Sequence, residues 1–477
     1  MQKKFVSNLI LIILLNLLVK PFAIFAIDAQ VQDRVGTDAY GLYFSLLNLS
    51  FLFNIVADLG INNFTTKQIA QYPHIVSRYL GKLFSFRLIL FMIYAILTMA
   101  IGAGIGYRGD ELWLLSILVF NQLLVTLIAY FRSHFGGLHL FKTDALVSVM
   151  DRGLLILICG YMLISTANSG DFRIEWFIYI QTICYAFTLV LAFILLVAKI
   201  GLPKFHFDWV FSLAILRKSY PYTVLILLMM IYTRTDSVML ERLHPNGSYE
   251  SGIYAKGFRF FDAFFMFAMI FSNLLFPVFS RLLKMNPSGI EPLLRTSRDL
   301  LLGGSIIIAF ACLLDAESIL GMLYRTDIDH TVPSFQFIMW GFVGMSISLI
   351  YGTLLTASGD LRFLNRISAI GIVINVIFNA LLIPEYGAAG SAFATLVTQT
   401  FTSVVQALHC HRKFSIAFSF REMISYSLFA GILLACVWMF PSGKGSLFLF
   451  LLTGLVGMIA LKLIDLRGLR KTFKENL

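Results

Sequence analysis

Tyr220-Pro-Tyr-Thr-Val-Leu-Ile-Leu-Leu-Met-Met-Ile-Tyr-Thr-Arg-Thr-Asp-Ser-Val-Met-Leu-Glu-Arg-Leu243 is the stretch whose reading decides the fold. It exceeds the ~20 residues that carry a helix across a bilayer, yet Arg234 and Asp236 sit well inside it. At the centre of a membrane helix each such charge costs about 2.5–3.5 kcal/mol on insertion scales. Residues two apart point to different sides of a helix, so the pair does not neutralise itself along its own helix. Each charge needs a partner on another helix, in water or in a ligand. The run is expected to border a polar, cation-lined cavity inside a membrane transporter.

The rest of the chain agrees with a membrane setting. Of 477 residues, 58% are hydrophobic and only 13% charged, which excludes an ordinary soluble domain. Backbone polar groups in lipid must be satisfied within helices or a closed barrel, and the apolar runs here are too long and continuous for barrel strands. The net charge of +11 is spread over short connections. It forms no aromatic-interleaved basic patch, so nucleic acid is not an expected partner. Cys159, Cys184, Cys312, Cys410 and Cys436 lie in or beside apolar segments without a C-x-x-C spacing, and read as small core residues. His409-x-His411 is too isolated to argue for metal. The segment from Phe5 to Ile27 is interrupted by Lys20 and is too long for a signal peptide, so it reads as a permanent first helix.

Fourteen spans follow, at about 5–27, 38–61, 83–106, 112–131, 145–166, 175–198, 220–243, 253–280, 299–323, 334–357, 363–384, 387–408, 422–440 and 445–464. With the N-terminus cytoplasmic, alternate connections are rich in Lys and Arg while the others carry about one each. That is the positive-inside bias, and it places both termini in the cytoplasm. The expected fold is an all-α polytopic membrane protein of two pseudo-symmetric six-helix bundles plus two C-terminal helices. An N-terminal lobe covers 1–200, a cytoplasmic linker 201–219 and a C-terminal lobe 220–413. Helices 13 and 14 with a basic tail occupy 414–477.

A shift of 214 residues lays Lys20 on Arg234, Tyr40 on Tyr254, Phe44 on Phe258, Asn48 on Asp262 and Asp151-Arg152 on Asn365-Arg366. Six spans between equivalents mean a parallel repeat about an axis along the membrane normal. Lys20 and Arg234 then stand at equivalent depths and suit an anion with two phosphates, the Arg as a planar fork and the Lys as a point charge. Pairing with neighbouring carboxylates, or snorkelling of Lys20, is the alternative. Lys256 and Arg259 lie near one end of the eighth span with Asp262 a turn further on; a ligand role and an Arg259–Asp262 pair account for them equally. Arg87 and Asp151-Arg152 read as the rim of a cavity or as anchors of helix ends.

In the second span Asn54, Asp58 and Asn62 recur every four residues and form one polar stripe on a continuous helix. Asp58, Asp236 and Asp262 are candidates for ion coupling with H+ or Na+, against the simpler reading as interhelical glue. Asn375, Asn379, Gly387, Gly390, Ser391, Ala394 and Thr398 read as close helix packing. No Walker loop, acidic metal cluster or Ser/His/Asp set stands out, so neither cofactor, metal nor catalytic residue is expected.

These residues give the chain a resemblance to the polysaccharide flippases of the multidrug/oligosaccharidyl-lipid/polysaccharide exporter superfamily, the Wzx-like O-antigen and lipopolysaccharide-repeat transporters. It is carried by Gly36-x-x-x-Tyr40-Gly41-x-Tyr43 and Asp58-Leu-Gly-Ile61, by Arg234-x-Asp236-x-x-Met239 leading to Gly252-x-Tyr254-Ala255, and by Asn379-x-x-Leu-Ile-Pro384-x-x-Gly387-x-x-Gly390-x-Ala392-x-Ala394-Thr395. The resemblance implies two bundles that open alternately to either side of the bacterial inner membrane. They would move an undecaprenyl-pyrophosphate-linked oligosaccharide to the periplasmic leaflet, driven by an ion gradient, among membrane lipids and without enzymatic activity. Arg234, Lys20, Lys256, Arg259 and Arg152 are the expected substrate residues. A drug or metabolite exporter of the same superfamily would share the architecture but favour acidic and aromatic lining. A glycan polymerase or ligase would carry a substantial outer loop, and every outer connection here is short.

Overall fold

The computed structural model describes residues 14–71, 76–166, 172–201, 207–285, 287–417, 420–441, 443–461 and 463. Lys3-Lys4, positions 202–206 of the 201–219 connection and the basic tail from 464 lie outside the described residues. Every regular element among the described residues is a helix.

The helices that cross are α1 (Leu14–Val35), α2 (Thr37–Asp58), α3 (Val76–Gly104), α4 (Asp110–Gly137), α5 (Phe141–Ser165), α6 (Ile174–Ile200) and α7 (Trp209–Leu243). Then come α8 (Gly247–Met285), α9 (Ile290–Leu320) and α10 (Ile328–Ala357). The 53-residue element Leu361–Lys413 bends where Gly387 takes φ 51°, ψ −128°, which makes it two crossings, α11 (361–386) and α12 (388–413). α13 (Phe420–Met439) and the shorter α14 (Lys444–Ala460) complete a set compatible with fourteen spans. The outer connection expected after Pro384 is thus only a bend. A glycine takes it because a positive φ carries no Cβ penalty there.

Several boundaries differ from the sequence reading for identifiable reasons. α1 does not stop at residue 27 but continues through a π-helical turn, Ala23–Asp28, to Val35. Asp28, which reads as the polar edge of the first apolar run, is instead 4% exposed. The helix ends at Gly36, whose φ of 89° is outside the helical range. α2 is not one continuous face either. Its regular part ends at Leu52, and one short turn, Ile55–Asp58, follows before Leu59 (φ 46°) and Gly60 (φ 79°) reverse the backbone. A separate helix, Ile61–Gln71, begins after them, with Asp58 Oδ1 accepting from the Asn62 N–H at 3.3 Å. α7 starts at Trp209, inside the stretch read as a connection, and the exposed Trp209 and Val210 there contrast with the buried Ile215.

Two compact units divide the chain: Met1–Arg242 with Asn246–Gly252, and Leu243–Pro245 with Ile253–Leu477. In the first, Phe86 and Leu90 of α3, Leu124, Phe131 and Phe135 of α4, and Leu196 of α6 form a buried core that Ile215 of α7 joins. In the second, Phe310 and Leu314 of α9 pack with Phe429 and Leu433 of α13 and with Phe450 and Met458 of α14. The appended helices are thereby fixed to α9. Lipid tails are as apolar as Leu, so helices in a bilayer are held by close packing rather than by expulsion from water. A Cβ on Gly344 of α10 would lie 2.9 Å from the backbone carbon of Gln399 in α12, which shows how near these two helices come.

Candidate functional site

Arg234 emerges from α7 toward α2. Its Nη1 donates to Asn48 Oδ1 at 3.2 Å, and its guanidinium lies 5.5 Å from the centre of the Phe51 ring. Asn48 is fixed for this task because its own amide donates to the Phe44 carbonyl at 2.9 Å, leaving the oxygen to face the guanidinium. Asn48 is the residue that the 214-residue shift lays on Asp262. Asp236, two positions on, is buried at 1% exposure on another face of α7.

Lys20 and Arg152 are brought together by helix register. Asn16 of α1 donates to Ser148 Oγ of α5 at 3.0 Å, and further along a Cβ on Gly160 would meet Ile27 at 3.7 Å. The contacts advance together along both helices, so α1 and α5 run parallel. Lys20 and Arg152, each four residues beyond the first contact, stand at one level. The charges acting on Lys20 are Arg132, Asp151, Arg152 and Asp144. Arg132 is tied to Asp144 at 2.7 Å, while Arg152 lies 3.5 Å from Asp151, a looser pair. Tyr185, Asp28 and Tyr43 complete the electrostatic surroundings of Arg152, and Gln181 Nε2 donates to Tyr43 Oη at 3.0 Å.

The second unit holds the remaining cations. Lys256 is 1% exposed, and its ammonium donates to the Thr326 carbonyl at 2.8 Å and to Asp327 Oδ2 at 3.3 Å. It is thus a buried, partnered group within its own unit. Arg259 Nη1 lies 3.9 Å from Asp262 Oδ2. Asn375 and Asn379 are fully buried, and Ser391 Oγ donates to Asn379 Oδ1 at 2.7 Å, consistent with close packing of α11 on α12.

The polar residues of α2 face different neighbours because of the two breaks. Asn54 donates to Gln122 of α4 at 2.6 Å, whereas Asp58 forms an ion pair with Arg87 of α3. Arg87 is 2% exposed, donates to the Thr126 carbonyl at 2.8 Å and lies 4.7 Å from the centre of the Tyr130 ring. The stripe expected from the spacing is therefore two separate interhelical ties.

Two groups escaped the sequence reading. Asp28 lies in the π turn and acts on Arg152; π turns inside α-helices recur at functional sites. A charge just past an apolar run reads as a boundary, and only the longer course of α1 puts it inside. At the other end of the unit, Arg242 lies 3.7 Å above the Tyr107 ring and 3.5 Å from Glu111, with Ser45 3 positions before Asn48 meeting Tyr107 Oη at 2.9 Å. Burial pushes the Tyr107 hydroxyl well above its ordinary range, as does the nearby Glu241. Among the described residues no group of three or more His, Cys, Asp or Glu is placed to hold a metal.

A family model described as polysaccharide biosynthesis protein matches residues 5–283, and one described as MatE matches residues 221–381. No curated protein matches the chain. Among solved structures, the lipid II flippase MurJ in an inward closed conformation is similar at a TM-score of 0.71 and 15% identity, over 96% of this chain and 97% of that one. An inward-facing multidrug resistance MATE family transporter of the MOP superfamily gives 0.64 and 14%, over 84% and 94%. A MOP superfamily transporter from Pyrococcus furiosus gives 0.56 and 12%, over 84% and 95%. At these identities the likeness shows the fold.

Proposed function

The chain belongs to the polysaccharide biosynthesis protein family, and on that premise we propose that it is a flippase for an undecaprenyl-pyrophosphate-linked oligosaccharide. It carries the repeat unit from the cytoplasmic to the periplasmic leaflet of the bacterial inner membrane by alternating access, uses an H+ or Na+ gradient, and catalyses no covalent step. The observation that carries this reading is the common level of Lys20 and Arg152 on parallel membrane helices. Two cations held side by side within a span are costly alone and favourable around a diphosphate, which accepts several charge-assisted hydrogen bonds at once. Arg234, which donates to the Asn48 amide oxygen, adds a third basic group of the same unit.

The test is reconstitution into vesicles with a fluorescent lipid-linked oligosaccharide. Leaflet exchange is expected to require the protein and to fall about tenfold or more in Lys20→Ala, Arg152→Ala and Arg234→Ala, each removing a charge-assisted contact. Exchange that is independent of the protein, or indifferent to all three changes, defeats the proposal. A second reading, export of drugs or metabolites, is favoured by the MatE match over 221–381. Protein-dependent efflux of cationic dyes with no exchange of the lipid-linked sugar would select it.

A further inference from the structure

α9 is broken in a way that neither reading uses. Asp315 takes φ −155°, ψ 68°, far from helical values, within the helix Ile290–Leu320. Such a residue interrupts the ladder of i→i−4 bonds, and non-helical backbone at membrane depth persists only where the freed groups find other partners. Two substitutes are in place. Asp315 Oδ1 accepts from the Ser318 N–H at 3.0 Å, capping the last turn of the helix. The Cys312 carbonyl accepts from Gln336 Nε2 of α10 at 3.2 Å.

One atom is left over. Asp315 is 6% exposed, and its Oδ2 is buried without a hydrogen-bond partner among the described residues. The break therefore holds a carboxylate oxygen that the fold has buried and not satisfied. Burying an ionised oxygen without a donor or counter-charge is among the larger penalties a fold can carry.

We propose that this oxygen is a ligand of a monovalent alkali cation, Na+ as the reference ion, bound at the α9 break between Asp315 and Gln336. The chemistry selects the ion. Gln336 spends its Nε2 on the carbonyl of Cys312, three residues before Asp315, which fixes its carboxamide at the break and leaves its single oxygen, Oε1, as a second hard oxygen to add to that of Asp315. Unwound turns with carbonyl and carboxylate oxygens suit alkali ions in membrane proteins. A single carboxylate balances a single charge, whereas divalent ions call for more carboxylates or for many retained waters.

Access is also provided. Between Asp299 and Asp315 the helix carries no charged residue, a stretch of about 24 Å at the ordinary rise per residue. That length is most of a hydrocarbon layer ~30 Å thick, so with Asp299 at one boundary Asp315 falls toward the other, the side from which the ion would enter. The site lies wholly in the second unit and does not depend on what the protein carries.

Equilibrium binding of 22Na+ to the purified full-length protein tests it. Saturable binding to the wild type is expected. Asp315→Asn should weaken it at least tenfold and Gln336→Leu severalfold. Asn at 315 retains the oxygen that caps Ser318, so this variant is expected to keep its elution profile and its melting temperature in choline chloride. Na+ but not choline should raise the melting temperature of the wild type, and this increment should be lost in Asp315→Asn. Absence of saturable 22Na+ binding to the wild type, or an affinity in Asp315→Asn within twofold of wild type, overturns the proposal. So does a wild-type melting temperature that responds to pH and not to Na+.

Discussion

Gly41 of α2 and Gly252 at the start of α8 meet backbone to backbone within the first unit. A Cβ on Gly41 would lie 1.8 Å from the Ser248 carbonyl oxygen and 2.5 Å from the Gly252 nitrogen, and one on Gly252 would lie 2.1 Å from the Thr37 carbonyl. Ser251 Oγ donates to the Gly41 carbonyl at 3.1 Å, and Gln32 Nε2 to that of Gly252 at 2.8 Å, so the seam is bonded as well as close. Backbone atoms cannot step aside as a side chain does. Gly41→Val is therefore expected to force the two segments apart at a cost of about 1–3 kcal/mol or more. It should appear as a lower melting temperature and reduced monodisperse yield. Gly104→Val, where an added Cβ meets nothing within 4 Å, should change neither.

Asn48 offers a way to change the charge around Arg234 with a side chain of the same size. Asn48→Asp places a carboxylate where the amide oxygen now accepts from Arg234, and gives up the bond that the amide donates to the Phe44 carbonyl. The new pair should hold the guanidinium against α2 and withdraw it from an anionic substrate. A charge-assisted hydrogen bond is worth about 1.5–3 kcal/mol, so exchange per folded molecule should fall roughly tenfold, with only a small loss of folded protein from the missing bond to the Phe44 carbonyl. Equal exchange by Asn48→Asp and wild type would show that Arg234 does not bind the transported anion.

The Asp58–Arg87 pair is expected to act on stability. Removing one partner leaves a charge buried, and Arg87 has 2% exposure. Asp58→Asn should cost on the order of 3 kcal/mol, seen as a clear loss in thermal denaturation. The double change Asp58→Asn with Arg87→Met should recover part of it, since no guanidinium is then stranded. If Asp58→Asn melts like the wild type yet loses ion-dependent transport, Asp58 is a coupling residue and its structural role is minor.

Asp360, between α10 and α11, gives a pH dependence outside the membrane-spanning segments. Burial pushes its carboxyl up, but His409 at 2.8 Å and Lys413 at 2.9 Å outweigh that and hold it below the ordinary carboxylate value. A depressed folded-state value stabilises the fold at pH above the ordinary value, and the contribution is lost as pH falls through the depressed one. The groups are partly exposed, so the effect is about 1 kcal/mol or less. Asp360→Asn should lower the melting temperature slightly at pH 7 and make no difference at strongly acidic pH. A difference that persists at pH 3 or below would mean that the carboxylate contributes through packing.

Helix type and the approximate number of spans were legible in the sequence because the thickness of a bilayer fixes how long each apolar run must be, and α5 and α6 begin and end within four residues of expectation, whereas α3 starts seven residues early and α4 ends six residues late. What failed were positions where one residue serves two readings. Asp28 looks like the polar margin of α1, but the helix continues past it and buries it within electrostatic reach of Arg152 on α5. Asn54, Asp58 and Asn62 keep helical spacing while Leu59 and Gly60 turn the backbone out of it. Asp58 and Arg87 are 29 residues apart on different helices, and no local pattern reveals such a pair. The level of Lys20 with Arg152 likewise depends on how α1 slides along α5, which is set by packing at Asn16 and Ile27.

The π turn at Ala23–Asp28 has one more consequence. It begins three residues past Lys20, ends on Asp28 and holds a residue more than an α turn would need, so the wide turn absorbs that residue and keeps the helix before it in phase with the helix after it. Deleting one residue inside the turn would let it close to ordinary pitch and leave Lys20 near its present level. The same deletion at Pro21 or Phe22, in the regular helix before the turn, would rotate everything before it by about 100° about the helix axis and swing Lys20 away from Arg152. The level that Lys20 shares with Arg152 is thus a matter of counting, open to loss through a single in-frame codon deletion that alters no charge at all.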